Sequence, residues 1–260
     1  MPITLTPFVN SNLCHGNTWA VADENLLADQ IARVALGQSR HVQKILAGAN
    51  LAPPQTFAST VASAIDLLTV AAGDDPWHRD GWIFQTMSWI AAHRASPGGT
   101  IRPPHMILAH KGFDGLQVVL NNSTGEITAA IIFEDKATDN PRATIRDDVW
   151  PEFKKLEAGE KENVLTAEVT SLLQSKAGID VDAAIQNIIW KQARHYRVSI
   201  TIGDTHNSDK GRSRLFADYE KVAQGHLHRR RGETLHINNL RQWMDALAEK
   251  TIVAIKSMVP

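Results

Sequence analysis

The sequence predicts an α+β fold in which helices cover a small central sheet, within a single domain of 260 residues. Three features support this: helical periodicity in the first hundred residues, short β-branched segments between residues 106 and 133, and one later strand after further helices. No repeat, low-complexity tract or long linker divides the chain. We distinguish a helical part (1–79), a core (80–203) and a basic loop with a final helix (204–260).

The first part is predicted to be helical because apolar residues recur at helical spacing in 25–36, 42–46 and 57–70. A fourth segment, 80–93, is apolar over most of its circumference. We expect that helix to be buried on several sides.

The middle of the chain is predicted to contain three strands, then helices, then one more strand. Segments rich in β-branched and aliphatic residues are the predicted strands 106–108, 116–121 and 127–133. Helical periodicity and one alternating segment follow, predicting helices at 146–156, 163–173 and 182–194 and a strand at 197–202. A polar loop at 203–211 and a last helix from 238 to 258 complete the order.

Composition indicates an ordinary globular protein, with 43% hydrophobic residues, 21% charged residues and a net charge of -1. The longest apolar run, 129–133, is too short to cross a bilayer, and the first thirty residues do not resemble a signal peptide. We therefore expect a soluble, cytoplasmic protein. Its one cysteine, Cys14, cannot form an internal disulfide, and a plain thiol is favoured over a nucleophile paired with His15.

Charge is distributed unevenly. Residues 186–231 hold ten lysines and arginines against four acids. Such a region can contact a phosphate backbone. The residues expected to contact nucleic acid are Lys111, Arg142, Arg146, Arg229, Arg230 and Arg231.

The segment 112–138, GFDGLQVVLNNSTGEITAAIIFEDKAT, has the composition of a buried hairpin with charges at both ends. A three-residue loop with Gly125 in the left-handed region would make partner numbers add to 248. That register puts Asp114 opposite Glu134, with Lys136 on the same face and Asp135 on the other. A four-residue loop would instead put Phe133 opposite Asp114.

Two carboxylates this close repel each other unless a cation lies between them. Oxygen ligands favour Mg²⁺ or Mn²⁺, and a neighbouring lysine can help to activate water and stabilise a phosphate in phosphodiester hydrolysis. The alternative for Asp114, Glu134 and Lys136 is a solvated ion pair at the end of a hairpin.

At these residues the sequence resembles the PD-(D/E)xK nuclease superfamily: Asp114 matches its strand aspartate and Glu134-Asp135-Lys136 its (D/E)xK triplet. The resemblance implies a restriction-endonuclease-like core over 80–203, made of a helix, three antiparallel strands, a helix and a strand, with helical additions at both ends. It also implies Mg²⁺ ligation by Asp114, Glu134 and the Asp135 main-chain carbonyl, with Lys136 activating water.

Within that superfamily, the chain is most similar to the nuclease subunits of the Hachiman phage-defence system (the HamA family). The similarity lies in three motifs: Asp80-Gly81-Trp82-Ile83-Phe84-Gln85, Lys111-Gly112-Phe113-Asp114-Gly115 and Phe133-Glu134-Asp135-Lys136. This narrower resemblance implies a deoxyribonuclease that acts in antiviral defence with a helicase partner. Gln85 departs from the pattern, because many members carry a glutamate on this helix. The amide can assist the site, but it weakens a second metal position.

Other interpretations remain open. The chain could be a non-catalytic relative that assembles with a nucleic-acid machine, or a DNA-binding protein that uses its basic region alone. His226 and His228 could ligate a transition metal, although a phosphate-contacting loop is favoured. Trp77, Trp82 and Trp89 could stack bases or lie in the core. The chain has no phosphate-binding GxxxxGK[ST] motif for ATP hydrolysis.

Overall fold

The fold is built on one mixed β-sheet whose strands come from the beginning, the middle and the end of the sequence. The computed structural model describes all residues except 53, 107–111, 122, 125, 175, 177–180, 183–184, 186–192 and 259–260. Among the described residues the sheet has seven strands in the order β1-β2-β7-β6-β5-β4-β3. They are β1 (Ile3–Asn10), β2 (Cys14–Val21), β3 (Thr100–Ile101), β4 (Gly115–Leu120), β5 (Ile127–Lys136), β6 (Arg194–Ile202) and β7 (Arg230–His236).

Strand directions divide the sheet into zones. β3 pairs with β4, and β4 with β5, in antiparallel direction. β5, β6, β7 and β2 then run parallel, and β1 closes the far edge antiparallel to β2. The carboxyl ends of the parallel strands therefore share one edge of the sheet, and their amino ends share the other.

Helices cover both faces. They are α1 (Glu24–Ala35), α2 (Ser39–Leu46), α3 (Ala58–Leu68), α4 (Trp77–Ala95), α5 (Pro141–Thr144), α6 (Trp150–Glu157), α7 (Glu162–Gln174), α8 (Asp209–Leu215), α9 (Tyr219–Val222) and α10 (Leu240–Ser257). A π-helical turn, Ile145–Val149, joins α5 to α6. Short 3-10 turns occupy Asp204–His206 and Leu227–Arg229.

Two hydrophobic clusters lie on opposite faces, and β5 contributes to both because its side chains alternate. Ile131 and Phe133 pack into the cluster that contains α1, α4 and α10. Ala130 and Ile132 pack into the cluster that contains α6, α7 and α9. The predicted α+β class is confirmed, and α4 is buried on several sides as expected.

The β4–β5 register is the predicted one, with Leu116 opposite Ile132 and Gly115 opposite Phe133. The prediction of a three-residue loop is wrong, because Asn121 N donates to Glu126 O and Leu120 pairs with Ile127. A bulge between Val119 and Leu120 absorbs the difference. Gly125, which was to supply the turn, lies outside the described residues.

The prediction of an entirely helical amino-terminal part is wrong. Helices α1, α2 and α3 form where expected, but residues 3–21 form the hairpin of β1 and β2. β2 is fixed by pairing with β7, more than two hundred residues away in the chain. Local periodicity contains no information about such a pairing.

Several predicted elements shift. The first core strand is Thr100–Ile101, while of the predicted 106–108 only Met106 is described, in a bend. The loop predicted at 203–211 includes the start of α8, and β7 forms where a basic loop was expected. The predicted helix 182–194 lies mostly outside the described residues, and its last residue begins β6.

In the part of the chain that the structure describes, no helix combines the length and apolarity needed to cross a membrane.

Two facing glycines join β2 to β7, because Gly16 pairs with Gly232. A methyl group on Gly16 would overlap the main-chain oxygen of Gly232, and one on Gly232 would meet the Phe216 ring at 2.7 Å. Glycine is therefore required here by close approach of two backbones.

We expect Gly16→Ala to lower the free energy of unfolding by about 1–3 kcal/mol, as overpacking does. Gly81→Ala is the matched control, because a methyl at that helical position meets nothing within 4 Å. It should raise stability by about 0.5–1 kcal/mol. Urea unfolding of both variants measures this, and equal effects of the two would contradict the account.

Candidate functional site

Four of the predicted site residues meet at the carboxyl end of β5. Glu134, Asp135 and Lys136 are its last three residues, and Asp114 immediately precedes β4. Gln85 lies on α4, which packs across this end of the sheet. The hairpin register brings the two chain segments together, and the helix adds the fifth residue.

The Asp114 carboxylate is the centre of the hydrogen-bond network. Its Oδ1 accepts from Gln85 Nε2 at 2.8 Å. Its Oδ2 accepts from Asp135 N at 2.9 Å and from Lys136 Nζ at 3.1 Å. Lys136 Nζ also lies 2.8 Å from Glu134 Oε2, so one ammonium group bridges both carboxylates.

These charges are only partly open to water, since the side chains of Glu134, Asp114 and Lys136 are 11%, 17% and 29% exposed. Burial, with Asp114 adding to it, raises the pKa of Glu134 to about 7 despite the opposing effect of Lys136. Burial alone would lower the pKa of Lys136, but Glu134 and Asp114 outweigh it and hold that pKa above its ordinary value. Lys136 is therefore a firmly held cation in this arrangement.

Asp135 faces the opposite side of the sheet, as the alternation predicts. Its Oδ1 accepts from Ser88 Oγ at 2.7 Å, and Ser88 Oγ lies 3.2 Å from Ser199 Oγ. Burial raises the pKa of Asp135 to about 6, with Arg197 and the two serines acting against this rise. The side chain fastens β5 to α4, and any metal contact would come from its main chain.

Behind Asp135 lies a buried polar row that the sequence did not predict. Arg197 donates to Ser88 Oγ at 3.1 Å, and its guanidinium lies 4.4 Å from the centre of the Phe133 ring. Glu233 lies 3.9 Å from Arg197 and accepts from Trp19 Nε1 at 2.7 Å. The sequence pattern predicted Arg197 to lie in a strand but did not predict its buried contacts. Glu233 lies in β7, a strand that was not predicted.

A second ionic cluster fixes the chain just after the site. Asp80 is fully buried and accepts from Arg79 at 2.8 Å and from Arg241 at 2.6 Å. Arg241 also donates to the main-chain oxygen of Ala137 at 3.3 Å. This joins α4 and α10 to the residue that follows Lys136. The sequence feature that could have indicated this cluster is Asp80, an acid in the first turn of an otherwise apolar helix.

The oxygen donors suit a hard divalent cation, because two converging carboxylates are ligands that Mg²⁺ and Mn²⁺ prefer. The set is small: no group of three or more His, Cys, Asp or Glu side chains among the described residues could hold a metal ion. Mg²⁺ keeps several waters and takes few protein ligands, so Asp114, Glu134 and a main-chain carbonyl fit it. In this structure the Lys136 ammonium offsets the negative charge of Asp114 and Glu134.

The basic residues expected to contact nucleic acid are placed very differently from one another. Arg229 and Arg230 are buried, which corrects their prediction as a solvated loop. Arg229 pairs with Glu157 at 2.7 Å, and Arg230 donates to main-chain oxygens of Leu13 and Ala223 at 2.8 Å. These donors hold loops together and are not available to a phosphate.

Arg142 is half-buried and donates to the main-chain oxygens of Leu215 and Ala217, both at 3.1 Å. Arg146 is exposed and pairs with Asp147 at 2.6 Å. Arg231 is partly accessible on β7. Lys111 lies outside the described residues. The predicted basic surface therefore reduces to a few separate side chains.

The aromatic and histidine candidates divide by burial. Trp82 and Trp89 are core residues, whereas Trp77 is exposed at the start of α4. His93 is buried against Trp89, and burial lowers its pKa to about 4. Cys14 is buried, and burial raises the pKa of its thiol to about 12, which favours the plain thiol predicted over a nucleophile.

Comparison of the chain with protein-family models, with curated proteins and with solved structures finds no match.

Glu134→Gln should become increasingly stabilising, relative to the parent, as pH rises from about 5 to about 8. The folded parent keeps a proton on Glu134 up to about pH 7, whereas the ordinary value is 4.5, so the unfolded chain loses its proton first. Raising the pH through this range therefore lowers the free energy of unfolding of the parent but not that of the glutamine variant.

Urea unfolding at several pH values measures the difference between the two proteins. Glu126→Gln, which changes an exposed glutamate of the same hairpin, is the control and should follow the parent. A difference between Glu134→Gln and the parent that does not change with pH would show that Glu134 titrates normally.

Proposed function

We propose that this protein is a metal-dependent nuclease that hydrolyses DNA phosphodiester bonds. One observation carries the proposal: Asp114 and Glu134 converge on Lys136 at the end of a buried strand, with Asp135 turned away. A solvated ion pair at a hairpin end would not require such burial. Charged groups held together in a partly buried site are typical of catalytic centres.

The order of elements supports a PD-(D/E)xK assignment. Helix α4 precedes the antiparallel strands β3, β4 and β5, and helices then lead to β6, which is parallel to β5. This is the order expected from the resemblance for a restriction-endonuclease-like core. The amino-terminal hairpin and β7 extend the sheet beyond it.

The roles of the residues follow from their contacts. A divalent cation bound by Asp114, Glu134 and the Asp135 carbonyl would neutralise a phosphate and make water more acidic. Lys136 is held protonated by the two carboxylates. A cation held by those carboxylates would weaken the interactions that raise the pKa of Lys136, and the lysine could then orient water or exchange a proton with it. Gln85 orients Asp114 through its amide.

The resemblance extends the proposal to a role in antiviral defence, as the nuclease subunit of a Hachiman-type complex. The chain has no ATP-binding motif of its own, so a helicase partner would supply ATP-driven unwinding. A near-neutral chain, with a net charge of -1 and with Arg229 and Arg230 committed internally, agrees with a partner that helps to hold the DNA.

A second candidate is a non-catalytic subunit of the same fold. The observation that favours it is Gln85, which donates to Asp114 where a further carboxylate would extend the metal site. Such a subunit would bind nucleic acid or a helicase without depending on Lys136 or on a metal.

Glu134→Gln and Lys136→Ala should each reduce Mg²⁺-dependent DNA cleavage by roughly 100-fold or more, because the first removes a charged metal ligand and the second a cation beside the reacting phosphate. Cleavage of single- and double-stranded DNA is measured with and without EDTA, for the chain alone and with any co-purifying helicase. Lys155→Ala changes an exposed lysine on α6 and should retain parent activity. Cleavage by folded Lys136→Ala at the parent rate would favour the non-catalytic candidate.

Gln85→Glu should strengthen Mn²⁺ and Mg²⁺ binding several-fold, because it adds a carboxylate next to Asp114. Without metal the same change should destabilise the fold, since Asp114 loses a donor and gains a like charge. Calorimetric titration with Mn²⁺ and unfolding in EDTA measure the two effects. Gln85→Ala is the control that removes the amide without adding charge, and unchanged affinity in both variants would exclude Gln85 from the site.

A further inference from the structure

The opposite edge of the sheet carries a group of basic side chains that the proposed nuclease chemistry does not use. It comprises His15, His195, His226, His228 and Arg231, and we call it the histidine–arginine cluster. His15, His195 and Arg231 are each the second residue of a strand, in β2, β6 and β7. These strands are parallel, so their amino ends lie together, about 16 Å along β6 from the Lys136 level.

The sheet register and ring contacts bring the members together. Arg231 pairs directly with His15, and neighbouring paired residues share a face. The ring centres of His195 and His228 are 5.3 Å apart, as are those of His226 and His228. His15 Nε2 donates to the main-chain oxygen of His228 at 3.4 Å.

Arg231 differs from the arginines around it. Arg229 and Arg230 are buried and donate to carboxylate or main-chain oxygens, and Arg197 is buried against Ser88 and Phe133. The Arg231 guanidinium has neither a hydrogen-bond nor an ion-pair partner within the described ranges, yet it is partly accessible. A half-buried guanidinium with its donors free is costly unless water or an anion satisfies them.

The carboxylate that acts on this cluster already accepts hydrogen bonds from other side chains. Glu233 is the carboxylate that acts on His15, but it is buried and accepts from Trp19 and Asn17. Burial, with His228, Arg229, Arg231 and His15 adding to it, lowers the pKa of His195 to about 4. Burial also lowers the pKa of His15, with Arg231 and His228 adding to it and the His228 carbonyl and Glu233 opposing it.

We propose that the histidine–arginine cluster binds a phosphate group, with Arg231 as the charged anchor and the imidazoles of His195 and His228 as hydrogen-bond donors beside it. The planar guanidinium fork matches two phosphate oxygens, which is why arginine is preferred at such sites. A neutral His195 donates without adding the repulsion that a further cation would cause. The site is separate from the carboxylate centre and does not depend on nuclease activity.

A transition metal is the competing ligand, because histidines are its usual partners. The geometry disfavours it, since the described His, Cys, Asp and Glu side chains include no group of three placed to hold a metal ion. Arg231 in the middle of the cluster would also repel a cation.

Nuclear magnetic resonance titration of the histidines with inorganic phosphate, in EDTA and at constant ionic strength, tests the proposal. In the parent, phosphate should shift the resonances of His15, His195 and His228 and raise the pKa of His195. Arg231→Gln should weaken phosphate binding at least tenfold. Arg40→Gln, an exposed arginine on α2, is the matched control and should bind like the parent.

A short oligothymidylate, which carries only phosphodiesters, distinguishes the source of the group: tighter binding than inorganic phosphate indicates a nucleic-acid backbone, and weaker binding indicates free phosphate. If Arg231→Gln fails to fold, His228→Gln on the exposed turn replaces it and should weaken binding several-fold. Histidine resonances that ignore phosphate and oligothymidylate, respond only to Zn²⁺, or respond equally in Arg231→Gln would overturn the proposal.

Discussion

An ammonium group held between two carboxylates is the interaction on which the candidate site depends. Lys136 bridges Asp114 and Glu134, which come from different segments and would otherwise repel each other in a partly buried place. The bridge forms only because the hairpin register is correct and α4 supplies Gln85 to the remaining oxygen of Asp114. A change of register by one residue would turn Glu134 and Lys136 to the other face, and the site would not exist.

The two faces of β5 carry different groups of side chains at this end of the sheet. Glu134 and Lys136 face the side where chemistry is proposed, while Asp135 faces inward and connects through Ser88 to Arg197 and Glu233. The inward row is nearly dry, so its charges must be mutually satisfied or they would destabilise the fold. Adjacent residues of one motif thus have different environments, set by the alternation of a strand.

The sequence allowed the prediction of what depends on local pattern. The helices before β3 and the strands β4, β5 and β6 follow from periodicity, whereas the shared face of Asp114 and Glu134 was predicted from a three-residue loop that does not form. The bulge at Val119 and Leu120 was not predictable, yet it restored the register that a four-residue loop would have shifted. β2 and β7 depend on each other across the chain, and so Arg229 and Arg230 were misplaced in a loop. Burial of an arginine is decided by such distant partners, not by its neighbours in sequence.

The pairing of β2 with β7 has a consequence for how the chain folds. During synthesis the β1–β2 hairpin is made more than two hundred residues before the strand that it must join. Until then β2 presents an unpaired edge, and Trp19 cannot reach Glu233. The inner support of the carboxylate site therefore forms only after β7 has been made, so a chain truncated before β7 would have the motif residues without the environment that orders them. Contacts this far apart in sequence also predict slow folding.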